Sequence, residues 1–246
     1  MKKLGKAGKT TASVSGRKTQ RVRLIRRNCR LTTKDVEALN KVAEFESDFY
    51  RDHFGNRKIP VPRISIYGNF DEFRRSQRST PKYARSDFGF YSVDSGAITV
   101  FKDSGYLETT YHEISHAMMG ALFRIAPEWL DEGMAQYFEG VIINENGIQI
   151  SSQNWQWKRI RKLIRRNKIR LKRLLRLSYK KFHKRHDLDN YAVSWGILFM
   201  LMYLGRNFVK QIIAHLRSGK SSTDSVDLVY PGGVLQLQKD FVFFYS

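Results

Sequence analysis

From Thr32 onward, apolar Val36, Leu39, Val42, Ala43, Phe45 and Phe49 recur at spacings of three and four. This predicts a helix with Thr32 as N-cap, Asp35 in its first turn and Gly55 at its end. The period then shortens. Val61, Ile64 and Ile66 predict a strand, Asn69 opens a short helix, and Phe88-Gly-Phe-Tyr-Ser-Val and Ala97-Ile-Thr-Val-Phe flank Asp94-Ser-Gly as two more strands. Helical spacing returns at about 107–124 and 128–139, a hairpin is predicted at 141–150 around Glu145-Asn-Gly, and helices follow to Leu216. Helix, small sheet, then mostly helix is the order of an α+β fold rather than of alternating βαβ units.

The longest uncharged apolar run, Tyr191 to Leu204, is 14 residues. A spanning helix needs about 17 to 25, so this run predicts a buried core helix. With 246 residues, 41% of them hydrophobic and 13% aromatic, the chain can bury the core of one domain, which excludes wholesale disorder. The single cysteine, Cys29, excludes an intrachain disulfide and a cysteine-rich zinc finger. Gly8-Lys9-Thr10 is not a phosphate loop, because Lys3 stands where that motif needs a glycine. The residues after Met1 carry no apolar run of the kind a secretion signal needs.

Charge changes the picture. The formal net charge is +21, but 26 of the 44 Lys and Arg lie in residues 1–30 and 158–185, neither of which contains an Asp or Glu. The remainder is net negative. Residues 1–28 read as a flexible basic arm ahead of a domain at 29–246, with a sheet part at 29–125 and a helical part at 126–246. In the second basic stretch Trp157, Ile160, Leu163 and Ile164, then Ile169, Leu171, Leu174 and Leu175, form apolar stripes that predict helices docked on the core. Their cations face outward. An anionic partner is expected there, whether nucleic acid, anionic lipid or an acidic protein, and the surplus is expected to serve attachment rather than catalysis.

The candidate chemistry lies in the acid-bearing remainder. Thr110-Tyr-His112-Glu113-Ile-Ser-His116 contains H-E-x-x-H inside a predicted helix. Residues four apart share a helical face, so His112 and His116 can both present a ring nitrogen to one ion, with Glu113 turned toward an open coordination position. Zinc suits two imidazoles. A catalytic zinc needs a third protein ligand. Leu122 and Met119 stand where a metzincin has its third histidine and its glycine, so that class is excluded. Glu132 lies 16 residues beyond His116, enough chain to end one helix, turn at Ala126-Pro127 and return.

The pattern W-L-x-E-G-x-A-x-Y at Trp129 to Tyr137, following H-E-x-x-H, resembles the gluzincins of peptidase clan MA, particularly the bacterial peptidase-MA-like domains. The resemblance spans roughly residues 31–218, including a later Tyr191-Ala-Val-Ser-Trp195. It implies a zincin-like α+β fold with a small, mostly antiparallel sheet, an active-site helix and a helical C-terminal part. It also implies Glu132 as third zinc ligand. The His116 to Glu132 spacing is shorter than in thermolysin-like or aminopeptidase-like gluzincins, whose glutamate would fall on Gln136 or Ala135. Thermolysin-like enzymes have an aspartate one turn after the ligand; Gln136 stands there and can accept the same hydrogen bond through its carbonyl oxygen.

The implied activity is zinc-dependent peptide hydrolysis, with Glu113 as general base and later proton donor. Tyr191 is the candidate oxyanion donor, with Tyr137 and Tyr111 as rivals. The strand Ile98 to Phe101 is expected to offer an edge to a peptide. His183 and His186 sit among so many cations that they are expected to face solvent rather than bind metal. The alternative reading is a non-enzymatic basic binding module on a metallopeptidase fold, from which the peptidase differs in its dependence on Glu113.

Overall fold

A computed structural model describes residues 21–55, 59–79, 86–123, 125–184 and 188–246. Helix α1 (Thr33–Phe54) starts where the sequence predicts. The Asp35 amide donates to the Thr32 hydroxyl and the Thr32 amide donates to the Asp35 carboxylate, a capping box, and Gly55 at φ 83° closes the helix. Helix α2 (Phe70–Arg78) is capped by Asn69, whose side chain accepts from the Glu72 amide.

Four strands, β1 (Arg23–Arg27), β2 (Arg63–Tyr67), β3 (Gly89–Ser92) and β4 (Ala97–Phe101), form one sheet in the order β1-β2-β4-β3. Side chains alternate between its faces. Ile64, Ile66, Ile98 and Val100 are buried in the core shared with α1 and the next helix, α3 (Tyr106–Leu122). Tyr67, Phe90 and Phe101 meet Phe73 of α2.

The sheet corrects three expectations. Residues 21–28 are not part of an arm: Val22 is buried, Arg21 pairs with Glu44 at 2.6 Å, and β1 lies beside β2. The cations of Arg-Leu-Ile-Arg-Arg mask a strand whose apolar residues alternate with them; residues 1–20 lie outside the described residues. The sheet is also not mostly antiparallel. β1 pairs parallel with β2 and β2 parallel with β4, and only β3 runs antiparallel. Helices α1 and α2 connect these parallel neighbours, so this part contains βαβ connections that are invisible without β1. Finally, Ile98 to Phe101 is an interior strand; the terminal strand on that side is β3.

The α+β class holds, with the second part mainly helical: α4 (Glu128–Glu139), a hairpin of β5 (Val141–Asn144) and β6 (Gly147–Ile150), then α5 (Asn154–Arg165), α6 (Leu171–Leu174), α7 (Tyr179–Phe182), α8 (Leu188–Leu204), α9 (Arg206–Arg217), α10 (Ser222–Val229) and α11 (Gly233–Tyr245). α8 is the predicted core helix. It is buried from Ala192 to Leu198 without interruption and packs against α4 and α5, and no described helix is long and apolar enough to cross a membrane. The apolar stripe of α5 docks inward through Ile160 and Leu163, as its spacing predicts. α4 is anchored by Trp129, Leu130, Met134 and Phe138, all buried, at roughly 1.5–3 kcal/mol for each such side chain. The Trp129 indole donates to Ser222 at the start of α10, 2.9 Å away. Gly133 is what lets α4 approach α8, since a Cβ there would stand 2.9 Å from the Ser194 carbonyl oxygen.

Candidate metal centre

α3 and α4 run antiparallel, joined by a short turn at Pro127, which starts α4 with its carboxylates Glu128 and Asp131 at the positive end of the helix dipole. The four-residue spacing puts His112 and His116 on the face of α3 that meets α4. Their Nε2 atoms stand 3.1 Å apart, and Glu132 Oε2 lies 3.5 Å from the first and 3.6 Å from the second. Ligands held about 2.0–2.2 Å from a tetrahedral ion are about 3.3–3.6 Å from one another, so the triangle is close to the size of a tetrahedral metal site. Glu132 Oε2 is buried and has no hydrogen-bond partner among the described residues, as expected of an atom that would face an ion. His112, His116 and Glu132 thus form a cluster that could hold a metal ion.

Each imidazole is fixed from behind. His112 Nδ1 lies 3.1 Å from Glu139 Oε2 and His116 Nδ1 lies 2.9 Å from Asp131 Oδ1. A carboxylate only accepts, so both rings carry hydrogen on Nδ1 and turn Nε2 toward the triangle, where a neutral ring would offer its lone pair to an ion. Burial alone would depress the His112 pKa, but Glu132 and Glu139 outweigh it and push it up to about 10 in the metal-free protein. His116 is likewise raised against its burial, by Asp131 and Glu132, and the same pairs hold Glu132 well below the usual carboxylate range despite burial.

Gln136 reaches the centre differently from the sequence-based expectation. Its amide nitrogen donates to Glu139 Oε2 at 2.6 Å and lies 3.3 Å from His112 Nδ1, while its carbonyl oxygen accepts from Gln156 at 3.0 Å. Two donors cannot bond each other, so Gln136 braces the glutamate that orients His112 rather than accepting from the ring. Glu139 supplies the charge that Gln136 lacks.

Glu113 is 7% exposed on α3 and sits under β3, where the Tyr91 backbone amide hydrogen-bonds its carboxylate. Burial raises its pKa, and the neighbouring His112 and His116 oppose the rise. The contact depends on Gly89, where a Cβ would stand 2.7 Å from Thr109 and 3.4 Å from Glu113 Cγ.

Tyr191 comes to the edge of the site through an unexpected partner. Its hydroxyl lies 2.8 Å from His183 Nδ1, and His183 Nε2 reaches Glu128 Oε2 at 3.0 Å and Glu132 Oε1 at 3.6 Å. His183 therefore does not simply face solvent. The carboxylates of α4 compensate the cations around it, and buried Phe182 anchors the preceding helix. His186 lies outside the described residues. Of the rival tyrosines, Tyr111 is buried, its hydroxyl pushed up to about 12 by burial and by Glu108, and Tyr137 turns its ring toward Phe49 of α1.

Asp131 and Glu139 are site residues that the sequence reading lacks, and His183 is one that it assigns to solvent. Glu139 lies seven residues after Glu132, two turns along the same helical face, which is a legible signal. Nothing local in the sequence links His183 to Glu128 and Glu132.

Residues 107–223, from α3 into α10, are similar to a family whose model carries the description Protein of unknown function (DUF1570). The match covers a little under half of the chain and includes both ligand-bearing helices and Tyr191. No curated protein matches the chain.

Proposed function

We propose that the protein is a zinc-dependent peptidase of the gluzincin type. The observation that carries the reading is the triangle of His112 Nε2, His116 Nε2 and Glu132 Oε2 beside a buried glutamate, Glu113, that is not part of it. Two imidazoles and one carboxylate favour zinc among the common ions. When bound there, zinc supplies Lewis acidity that polarises a carbonyl and makes a water acidic near neutral pH.

The chain's own residues supply the rest. A substrate strand pairs with the terminal strand β3, which places its carbonyl over α3 next to Glu113. Glu113 takes the proton of the attacking water and delivers it to the leaving amine; burial, by raising its pKa, suits it to hold that proton between the two steps. Tyr191, its hydroxyl also raised by burial and by Glu132, stays protonated and is the donor for the developing oxyanion once it turns from His183. A second reading, a binding module without catalysis, draws on the exposed cations of α5 to α7. The test between them is Glu113→Gln. The variant is expected to keep wild-type zinc and lose about 10² to 10⁴ in hydrolysis of a mixed peptide pool. Hydrolysis near the wild-type rate in that variant would contradict the peptidase mechanism.

A further inference from the structure

Thirteen Lys and Arg between Lys158 and Lys184 are exposed, while Ile160, Leu163, Leu171, Leu174, Leu175 and Phe182 of the same stretch are buried. These cations come near the candidate metal centre. Lys181 and Lys184 flank His183, which touches Glu128 and comes within 3.6 Å of Glu132. Arg159 pairs with Asp189 at 2.6 Å, and Asp189 stands two residues before Tyr191, about 3 Å along the axis of α8. Around that pair lies an open pocket lined by Arg159, Lys162, Leu163, Arg166, Lys168 and Asp189. The candidate metal centre itself has the opposite sign, with Glu113, Glu128, Asp131, Glu132 and Glu139 around it.

We propose that the site takes polypeptides that carry an acidic run a few residues from the bond to be cut, with the acidic run lying on the cations of α5 to α7. This deepens, and rests on, the peptidase reading above. An extended chain advances about 3.3–3.6 Å per residue, so a few residues lead from the metal triangle past His183 onto the cations. Only a ligand of mixed character suits both surfaces. A nucleic acid carries charge at every step and would be repelled by the carboxylates of the site, and Tyr179 is the one exposed aromatic between Lys158 and Lys184 on which a base could stack. Insertion into an anionic bilayer needs apolar side chains among the cations, and between Lys158 and Lys184 the aliphatic ones are buried or half-buried, leaving Tyr179 exposed.

The test uses two fluorescent peptide pools with the same randomised neutral core, one followed by a run of glutamates and the other by glutamines. Binding is measured on the Glu113→Gln protein and cleavage on the wild type. The glutamate pool is expected to bind about tenfold tighter at roughly 50 mM salt, with the gap narrowing toward 200 mM, and to be cleaved with a lower KM and an unchanged kcat. Replacing Lys162, Arg166 and Lys168 with Gln, or Lys180, Lys181 and Lys184 with Gln, should erase much of that preference and leave the glutamine pool and the Tm as they were. Equal binding and cleavage of both pools, a preference indifferent to both triple variants, or tighter binding of a single-stranded DNA of the same charge would overturn the proposal alone. Binding of the glutamate pool with cleavage of neither would instead overturn the peptidase reading, and the substrate assignment with it.

Discussion

α8 packs against both α4 and α5, and these two neighbours treat charge in opposite ways. Where α4 meets α3, carboxylates and imidazoles are buried or half-buried and paired: Asp131 with His116, Glu139 with His112, and Glu132 facing both ring nitrogens. Along α5 to α7 the cations face solvent and the apolar side chains turn inward. A buried charge persists only with good pairing, because desolvation penalises it by several kcal/mol, so its position is fixed and informative. An exposed charge is screened and contributes little by itself to stability. Pairing, rather than number, is therefore what marks the chemical centre in a chain of net charge +21.

The comparison breaks first at the partners of the imidazoles. Asp131→Asn and Glu139→Gln each leave all three candidate ligands in place, yet each is expected to weaken zinc affinity about 10- to 100-fold, read by competition with a chelator. Unchanged affinity in both would mean that α4 does not orient the rings.

The pH dependence sharpens it. His112 in the metal-free protein is raised from 6.5 to about 10, so the stability it contributes is complete below pH 6.5 and lost as pH rises toward 10. Zinc needs neutral imidazoles, so the gain in Tm on adding zinc should be smallest near the low end of that window and grow through it. Thermal melts with and without zinc across the range check the sign; a gain that shrinks with rising pH would be inconsistent with histidine ligands.

Glu46 offers a contrast within the buried set. It lies on α1, 0% exposed, neither oxygen has a hydrogen-bond partner among the described residues, and burial drives its pKa well above the ordinary value. Such a group contributes its stability in full below its ordinary pKa of 4.5 and loses it as pH rises through the raised value. Glu46→Met should therefore stabilise the fold at neutral pH by about 1 kcal/mol, seen as a higher midpoint in urea. A lower midpoint would show that Glu46 has a pairing role. Smallest of all should be the effect on folding of exposed cations: Lys172→Gln or Arg173→Gln is expected to shift stability by no more than about 0.5 kcal/mol in the same assay.

The parts of this account that were legible in the sequence are those set by local spacing. The α1 capping box, the helix of residues 128–139, the hairpin at 141–150 and the face shared by His112 and His116 all follow from residues within a turn or two of one another. What escaped depends on distant pieces meeting. β1 is hidden because Arg23, Arg26 and Arg27 give its segment the look of an arm, and without β1 the parallel pairings cannot be inferred. His183 looked like one more polar residue among cations because the carboxylates that hold it, Glu128 and Glu132, are some fifty residues earlier on α4. Gln136 comes near one candidate ligand, His112, but its direction of hydrogen bonding is decided by Glu139 and by Gln156 of α5.

The most direct measurement is the zinc content of the purified protein compared with that of Glu113→Gln and Glu132→Ala after dialysis against a weak chelator. The account predicts one zinc per chain in the wild type and in Glu113→Gln, and near none in Glu132→Ala, with the folded state of each variant verified by circular dichroism. Full zinc retained by a folded Glu132→Ala, or zinc lost from Glu113→Gln, would contradict the division between three ligands and one base on which the rest depends.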